Sequence, residues 1–447
     1  MKKLNRSILE KILNIQIKRN FSISGICIDT RILQPGDIFV AIKGIRVDGH
    51  DYAINAYKAG ASYIIASREI TEEIPSERII KVENTLISFW KLAKWYRETY
   101  NPFVIAVTGS IGKTSVKDCI ASILSVREPT LSSAHSFNNH IGVPLTLTKL
   151  NSQIHYLVQE IGMNHFGEIH ELSLLAKPDL AYINNVYPTH LQYMKSVPGI
   201  IKAKLEITSG LSGILWVNGD QEDLVKEAYR KYDKVKTFGL DNDADIRGVF
   251  HNDQGILEIN GIGEFRIDAM AKPQASNILG GIAVVSSLGL SHDEINSGLA
   301  ALSRTPGRLN MEITNDNIRI INDTYNASPY SIKLAFEVLS LPKWGSGRRI
   351  AVLGDMKELG KDSAFWHKTV GNWAKELNID LLLVTGEEAK YYLDNWTNGT
   401  GRFFADKSDL TKTLVNIAKP NDVILFKGSR ITAMEKVING FKNSRYA

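Results

Sequence analysis

The chain has 447 residues, of which 44% are hydrophobic and 23% charged, so it is too long for one ordinary core and predicts two to four domains, taken as three. Its net charge of +5 is spread without a basic block or interleaved aromatics, which argues against a nucleic-acid partner and leaves anionic small molecules open. No apolar run approaches the roughly 20 residues of a membrane span and no signal peptide follows Met1, so a cytoplasmic location is expected. Along the chain, the segment up to about Tyr100 mixes short strands, Ile38 to Ile42 and Tyr63 to Ala66, with a helix from Asp51 to Gly60. Asn101 and Pro102 break that pattern. From Phe103 apolar strands alternate with helical stretches: Phe103 to Val107, Tyr156 to Glu160, Leu180 to Asn184 and Ile214 to Asn218 read as one mostly parallel sheet. A β-rich run from Asp245 to Ile267 and an apolar helix from Ala275 to Leu288 follow, and Thr305, Pro306 and Gly307 mark the next boundary. Beyond it, Ile318 to Asn322, Arg349 to Leu353, Leu381 to Thr385 and Val423 to Phe426 read as a second α/β sheet of Rossmann type. The expected domains are therefore 1–100, 101–305 and 306–447, all α/β.

The most informative stretch is IAVTGSIGKTS, Ile105 to Ser115. It runs from an apolar strand through a Gly-rich turn, Thr108 to Gly112, into a helix expected from Ser115 to Leu124. Backbone N–H groups of Gly109, Ser110 and Gly112 would cradle phosphates, Lys113 would reach the terminal phosphates, and the Thr114 hydroxyl would hold Mg²⁺. Only Ser110 and Ile111 separate the two glycines, where the ordinary Walker loop has four residues, so a particular ATPase lineage is implied.

Glu160 ends a strand expected beside this loop and is a natural magnesium ligand, since ligands gather at the carboxyl ends of strands in open α/β sheets. His190, in NNVYPTH, follows another strand at the same edge; a lone histidine is as readily structural as ligating. In IIKAKLEI a helical pattern would direct only one of Lys202 and Lys204 to the site. His165 and His170 lack the four-residue spacing of a zinc helix pair, which rejects a zinc protease. Asp323, Tyr325 and Asn326 in NDTYNASP, Asp355 in LGDMKELG, and Lys427 to Arg430 in KGSR all follow strands of the last domain. Turn chemistry accounts for part of each motif but not for their shared end of one sheet. Cys27 and Cys119 are too few for a disulfide framework and are expected as inert packing residues.

Taken together, the chain resembles the Mur ligases, ATP-dependent amide-forming enzymes of peptidoglycan precursor synthesis. The residues that carry the resemblance are DTR at 29–31, AIKGIRVDGHDY at 41–52, VTGSIGKTS, SFNNHIGVPLTL at 136–147, EIGMNHFGEI, PTH with KAKLEI, PGRL at 306–309, DTYNASP, LGDMKELG and KGSR. Its N-terminal motifs look like the uridine-nucleotide-binding domain of the branch that adds a dipeptide, and separate it from folylpolyglutamate synthetases. The resemblance implies ATP, two Mg²⁺ ions, and as small-molecule substrates a UDP-muramoyl-peptide and D-alanyl-D-alanine, with a monomer expected. It implies that Lys113 and Ser115 lie against the ATP phosphates, that Thr114 and Glu160 hold one Mg²⁺ and His190 a second, and that Lys204 carries a carbamate that helps to hold it. Asn138 and Asn139 would line the same site, Asn277 would touch adenine, and Arg308, Asp323 and Asn326 would meet the nucleotide from the domain junction. Asp355, Lys427, Ser429 and Arg430 would serve the substrate, and Asp29, Arg31, Lys43, Asp48 and His50 the uridine sugar nucleotide. Three residues depart from the family pattern: Ile111 where Asn is usual, Ser276 where His is frequent in this branch, and Gly280 where a second Asn is common. An active but divergent ligase is the expectation, and its rivals are a Mur-type ligase with another acceptor or amine, a specialised-pathway homologue included, and a nucleotide-sensing or scaffolding homologue without activity.

Overall fold

The computed structural model describes residues 3–44, 47–134, 136–189, 191–303, 305–396 and 400–446. Three sheets follow one another along the chain. The first is four-stranded and parallel, in the order Ile26–Cys27, Ile38–Val40, Tyr63–Ala66, Ile79–Lys81. The second has nine strands, in the order Gly263–Arg266, Ile256–Ile259, Ile246–His251, Val235–Gly239, Ile214–Asn218, Leu180–Ile183, Phe103–Thr108, Tyr156–Glu160, Thr130–Ser132. Its neighbours are parallel from Thr130–Ser132 across to Ile246–His251, and the last two strands are antiparallel. The third has six strands, in the order Asn310–Ile313, Arg319–Asp323, Val423–Lys427, Arg349–Gly354, Leu381–Thr385, Gly401–Phe404, with only Asn310–Ile313 antiparallel.

The apolar runs become strands covered on both faces because successive side chains point to opposite sides. In Phe103–Thr108, Val104 and Ala106 enter one core while Ile105 and Val107 enter the other. Leu215 and Val217 repeat the division against Trp216, and in the third sheet Ala351 and Leu353 repeat it against Ile350 and Val352. Each fully buried Ile, Leu or Val contributes about 1.5–3 kcal/mol, so these strands hold the loops at their carboxyl ends against a rigid base.

Two helices differ in extent from the sequence expectation. The helix after the Gly-rich turn is Lys113–Arg127, so Lys113 and Thr114 lie on its first turn, with Gly112 left-handed at its N-cap. The expected helix from Asp51 opens instead as a 3₁₀ turn, Gly49–Tyr52, where the Asp48 side chain accepts from His50 N, and continues as Ala53–Lys58. The second and third sheets are brought together by side chains from both sides. Thr305 Oγ1 donates to Asp118 Oδ2 at 2.7 Å, Ser136 and Tyr325 share a short hydroxyl hydrogen bond, and the Tyr187 and Tyr330 rings stack with centroids 5.4 Å apart.

Candidate active site

A cleft of about 840 Å³ opens where the carboxyl ends of the second and third sheets meet. Its floor is the turn at 109–112, whose two glycines have φ of 155° and 79°. A Cβ at Gly109 would lie 2.9 Å from Asn184 Cβ, and one at Gly112 would lie 2.7 Å from the Asn184 and Asn277 amides, so both positions require glycine. The neighbouring strand end pins the turn. Ser110 N donates to Asn185 O at 2.9 Å, Ser110 Oγ to Tyr187 O at 3.0 Å, and Ile111 N to Asn185 Oδ1 at 2.9 Å.

Lys113 folds back so that Nζ donates to Gly109 O (2.9 Å) and Ser110 O (3.3 Å), which keeps the ammonium at the loop mouth. Burial pushes its pKa below the usual lysine range. Thr114 Oγ1 donates to Glu160 Oε2 and Asn138 Nδ2 to Glu160 Oε1, both at 2.7 Å. Glu160 is 1% exposed, so its charge is held by hydrogen bonds rather than by water. From the third domain Arg308 Nη2 donates to Thr114 Oγ1 at 2.9 Å, while its guanidinium lies 4.1 Å from the Tyr325 ring centroid. The Arg308 Nε is buried without a partner among the described residues, a donor left for an anionic ligand.

Lys204 ends the helix Val197–Lys204 and is 2% exposed, while Lys202 of the same helix is exposed. Burial, and then the positive charge of Lys113, drive the Lys204 pKa well below the usual lysine range. Among the described residues there is no group of three His, Cys, Asp or Glu placed to hold a metal ion. Thr114 and Glu160 supply oxygen atoms side by side at the cleft. His190 lies outside the described residues.

Of the other expected residues, Ser110, Gly112, Ser115, Asn138, Asn139, Asn277, Arg308, Asp323, Asn326 and Lys427 line the cleft with Lys113, Thr114 and Glu160. Lys427 and Asp323 form a short buried ion pair, and Lys427 Nζ also donates to Asn326 O at 3.0 Å. Asp355 and Ser429 face inward instead: Asp355 accepts from Glu387 N and Glu388 N, and Ser429 Oγ accepts from Lys357 N at 2.9 Å. Arg430 is exposed and pairs with Glu435. Asp29, Lys43, Asp48 and His50 follow strands of the first sheet at their carboxyl ends. Asp29 is paired with Arg31 there. His50 is buried; Ser67 N donates to Nε2 at 3.0 Å, which leaves the Nδ1 proton for Asp48 Oδ1 at 2.6 Å. Cys27 and Cys119 are buried and free, and burial pushes the Cys119 thiol to about 12. Sequence reasoning used NNVYPTH only for its histidine and so missed Asn184, Asn185 and Tyr187, whose signal was an Asn pair at a strand end.

Comparison with known proteins shows the family of the chain. Family models described as Mur ligase family, catalytic domain, Mur ligase middle domain, and Mur ligase, glutamate ligase domain match residues 22–101, 107–285 and 307–430. The chain is 36% identical to UDP-N-acetylmuramoyl-tripeptide–D-alanyl-D-alanine ligase of Escherichia coli (strain K12), covering 98% of each sequence. Among solved structures it is similar to MurF from Acinetobacter baumannii, at a TM-score of 0.87 and 28% identity over 99% of both chains. It is also similar to MurF ligase from Thermotoga maritima in complex with ADP, at 0.82 and 29%, covering 94% of this chain and 98% of that one. No helix among the described residues is long and apolar enough to cross a membrane.

Proposed function

This chain belongs to the Mur ligase family, and we propose that it adds D-alanyl-D-alanine to UDP-N-acetylmuramoyl-tripeptide in peptidoglycan precursor synthesis. It is an ATP-dependent amide ligase. The observation that carries the reading of the site is the joining of Lys113, Thr114, Glu160 and Arg308 in one cleft: a phosphate loop, a strand-end carboxylate and a cation from the third domain.

In the proposed reaction the free carboxylate of the tripeptide attacks the terminal phosphorus of ATP, forming an acyl phosphate and releasing ADP. The dipeptide amine then attacks the acyl carbon, and the tetrahedral intermediate collapses with loss of phosphate. The loop N–H groups and Lys113 neutralise charge on the transferring phosphoryl group. The Arg308 guanidinium, whose Nε has no partner among the described residues, supplies further positive charge from the third domain. Mg²⁺, when bound, neutralises phosphate charge and orients the transfer, and Thr114 and Glu160 fit one ion. Lys204 would react as a neutral amine with CO₂, giving a carbamate and a proton released to solvent. The anion so formed would join His190 at a second ion. Asp29, Arg31, Lys43, Asp48 and His50 are assigned to the uridine end of the acceptor, His50 by holding Asp48 in place. Asp323, Asn326 and Lys427 are assigned to the nucleotide and substrate side of the third domain, with Asp355 and Ser429 shaping the loops around them. Domain limits near residues 100 and 305, a monomer and a cytoplasmic location belong to the same reading.

The rival is a sensor that binds nucleotide without turnover. ADP release measured with ATP alone, with either substrate, and with both decides between them. Release that requires acceptor and amine together supports the ligase; ATP binding with no release under any combination overturns it.

A further inference from the structure

We infer that Tyr182 is a positioning residue for the nucleotide-binding loop, its hydroxyl acting through Asn184 to hold the Ile111 peptide and the Asn277 side chain in place for ATP. The inference rests on the reading that this loop binds ATP. Tyr182 belongs to the strand Leu180–Ile183, lies opposite Val107 of the strand that feeds the loop, and is 0% exposed. It cannot touch a ligand in the cleft. Its ring stacks on Phe238 with centroids 5.1 Å apart, which fixes where the hydroxyl points.

The hydrogen-bond directions follow by elimination. Ile111 O accepts only, so Asn184 must present its Nδ2 group there, at 2.8 Å. The same Nδ2 donates to Asn277 Oδ1 at 2.7 Å. Asn184 Oδ1 is then turned to Tyr182, whose hydroxyl donates to it at 2.8 Å. Burial pushes the phenol well above its ordinary range, so it stays a donor at any working pH. Without that donor, the buried Oδ1 loses its partner, and the amide that holds the Ile111 peptide and Asn277 is anchored at one end only. Asn184 is also the surface against which the two loop glycines close, since Cβ atoms at Gly109 and Gly112 would meet it at 2.9 and 2.7 Å.

The helix Lys272–Ser287 carries both ends of this arrangement. Asn277 receives the Asn184 amide, and three residues on, on the same helical face, Gly280 makes room for the phenol. A Cβ at Gly280 would lie 2.0 Å from the Tyr182 oxygen. Gly280 and Tyr182 thus form a fitted pair, in which the missing side chain of one is the space for the hydroxyl of the other.

The test is steady-state kinetics of the full-length chain with ATP, UDP-acceptor and dipeptide varied in turn, for Tyr182→Phe, Asn184→Ala, the double variant, and Lys113→Ala. Tyr182→Phe should raise KM for ATP about 5- to 30-fold, with kcat and the other two KM values within about twofold. On the Asn184→Ala background the same change should add nothing, because the hydroxyl then has no amide to anchor. An unchanged KM for ATP, a uniform loss across all three substrates, or an effect that persists in full without Asn184 overturns the inference. Should Tyr182→Phe fail to fold, Asn184→Ala decides alone: a KM for ATP within twofold of the parent overturns it. Lys113→Ala separates the two levels. If it is inactive while Tyr182→Phe behaves as the parent, only the Tyr182 inference fails; if it turns over normally, the loop assignment itself fails.

Discussion

Truncation of Lys113 to alanine should abolish turnover while sparing the fold. In the structure Nζ reaches back to two loop carbonyls, at 2.9 and 3.3 Å, which sets its reach to the mouth of the phosphate cradle. Charge-assisted hydrogen bonds contribute about 1.5–3 kcal/mol each, so two such contacts to phosphate oxygens total about 3–6 kcal/mol. At about 1.4 kcal/mol per tenfold, kcat/KM should fall roughly 10²- to 10⁴-fold. Stability behaves differently. The alanine variant loses two bonds to carbonyls at about 0.5–1.5 kcal/mol each, but it also loses a half-buried ammonium whose pKa is depressed. A lysine that binds its proton less tightly when folded lowers stability throughout the range below its unfolded pKa, so its removal offsets much of the loss. A net change within about 1 kcal/mol moves Tm by about 2–4 °C for a domain of this size. Coupled detection of ADP in the presence of both substrates, alongside thermal unfolding, measures the two quantities. Near-normal ADP formation by the folded variant would refute the loop assignment.

Lys204→Ala should lose most activity, and a small carboxylate in the buffer should restore part of it by taking the vacated anion position. A bare ammonium in a CO₂-equilibrated crystal, together with a fully active alanine variant, rules out the carbamate. Arg308→Ala should raise KM for ATP by about tenfold or more, since the buried Nε is a donor left for an anionic ligand and one charge-assisted hydrogen bond contributes about 1.5–3 kcal/mol. Ligand titration that finds unchanged ATP affinity would place the guanidinium outside the nucleotide site. Ile111→Asn should leave nucleotide binding unchanged or modestly improved, because the Asn184 and Asn185 amides engage the backbone of residue 111 and not its side chain. A severe loss in a folded variant, read from KM for ATP, would show that the loop depends on the isoleucine side chain.

The strands were legible because their apolar runs are short, rich in β-branched residues and ended by turn residues; Tyr63–Ala66, Tyr156–Glu160 and Leu381–Thr385 appear with the expected limits. Glu160 was legible as a loop neighbour because its strand follows the phosphate loop in an α/β pattern; the helical period of KAKLEI said only that one of its two lysines would face inward, and the family resemblance, not the period, singled out Lys204, which is buried where Lys202 is exposed. The start of the helix at Lys113 was not, since a left-handed Gly112 can cap a helix that no side chain caps. Nor was the adjacency of the strands ending in Thr108 and Ile183, a pairing across more than seventy residues that alone brings Asn184 and Asn185 to the loop. Polar side chains such as Asp355, Ser429 and His50 read from sequence as site candidates, while the structure gives each of them backbone partners. A local motif does not reveal whether its polar group points to a ligand or into the fold.

The most direct test of the central claim is the amine requirement. With UDP-N-acetylmuramoyl-tripeptide and ATP present, ADP release and product mass are followed across a panel of D-alanyl-D-alanine, single amino acids and glutamate on a folate acceptor. A site built to pair the internal amide and distal carboxylate of a dipeptide leaves buried polar groups unpaired with a shorter amine, which discriminates strongly. D-alanyl-D-alanine should trigger ADP release and give a product heavier by the dipeptide, with single amino acids doing little. Preference for a lone diamino acid on UDP-muramoyl-dipeptide, or for glutamate on a folate, would contradict the dipeptide-adding assignment.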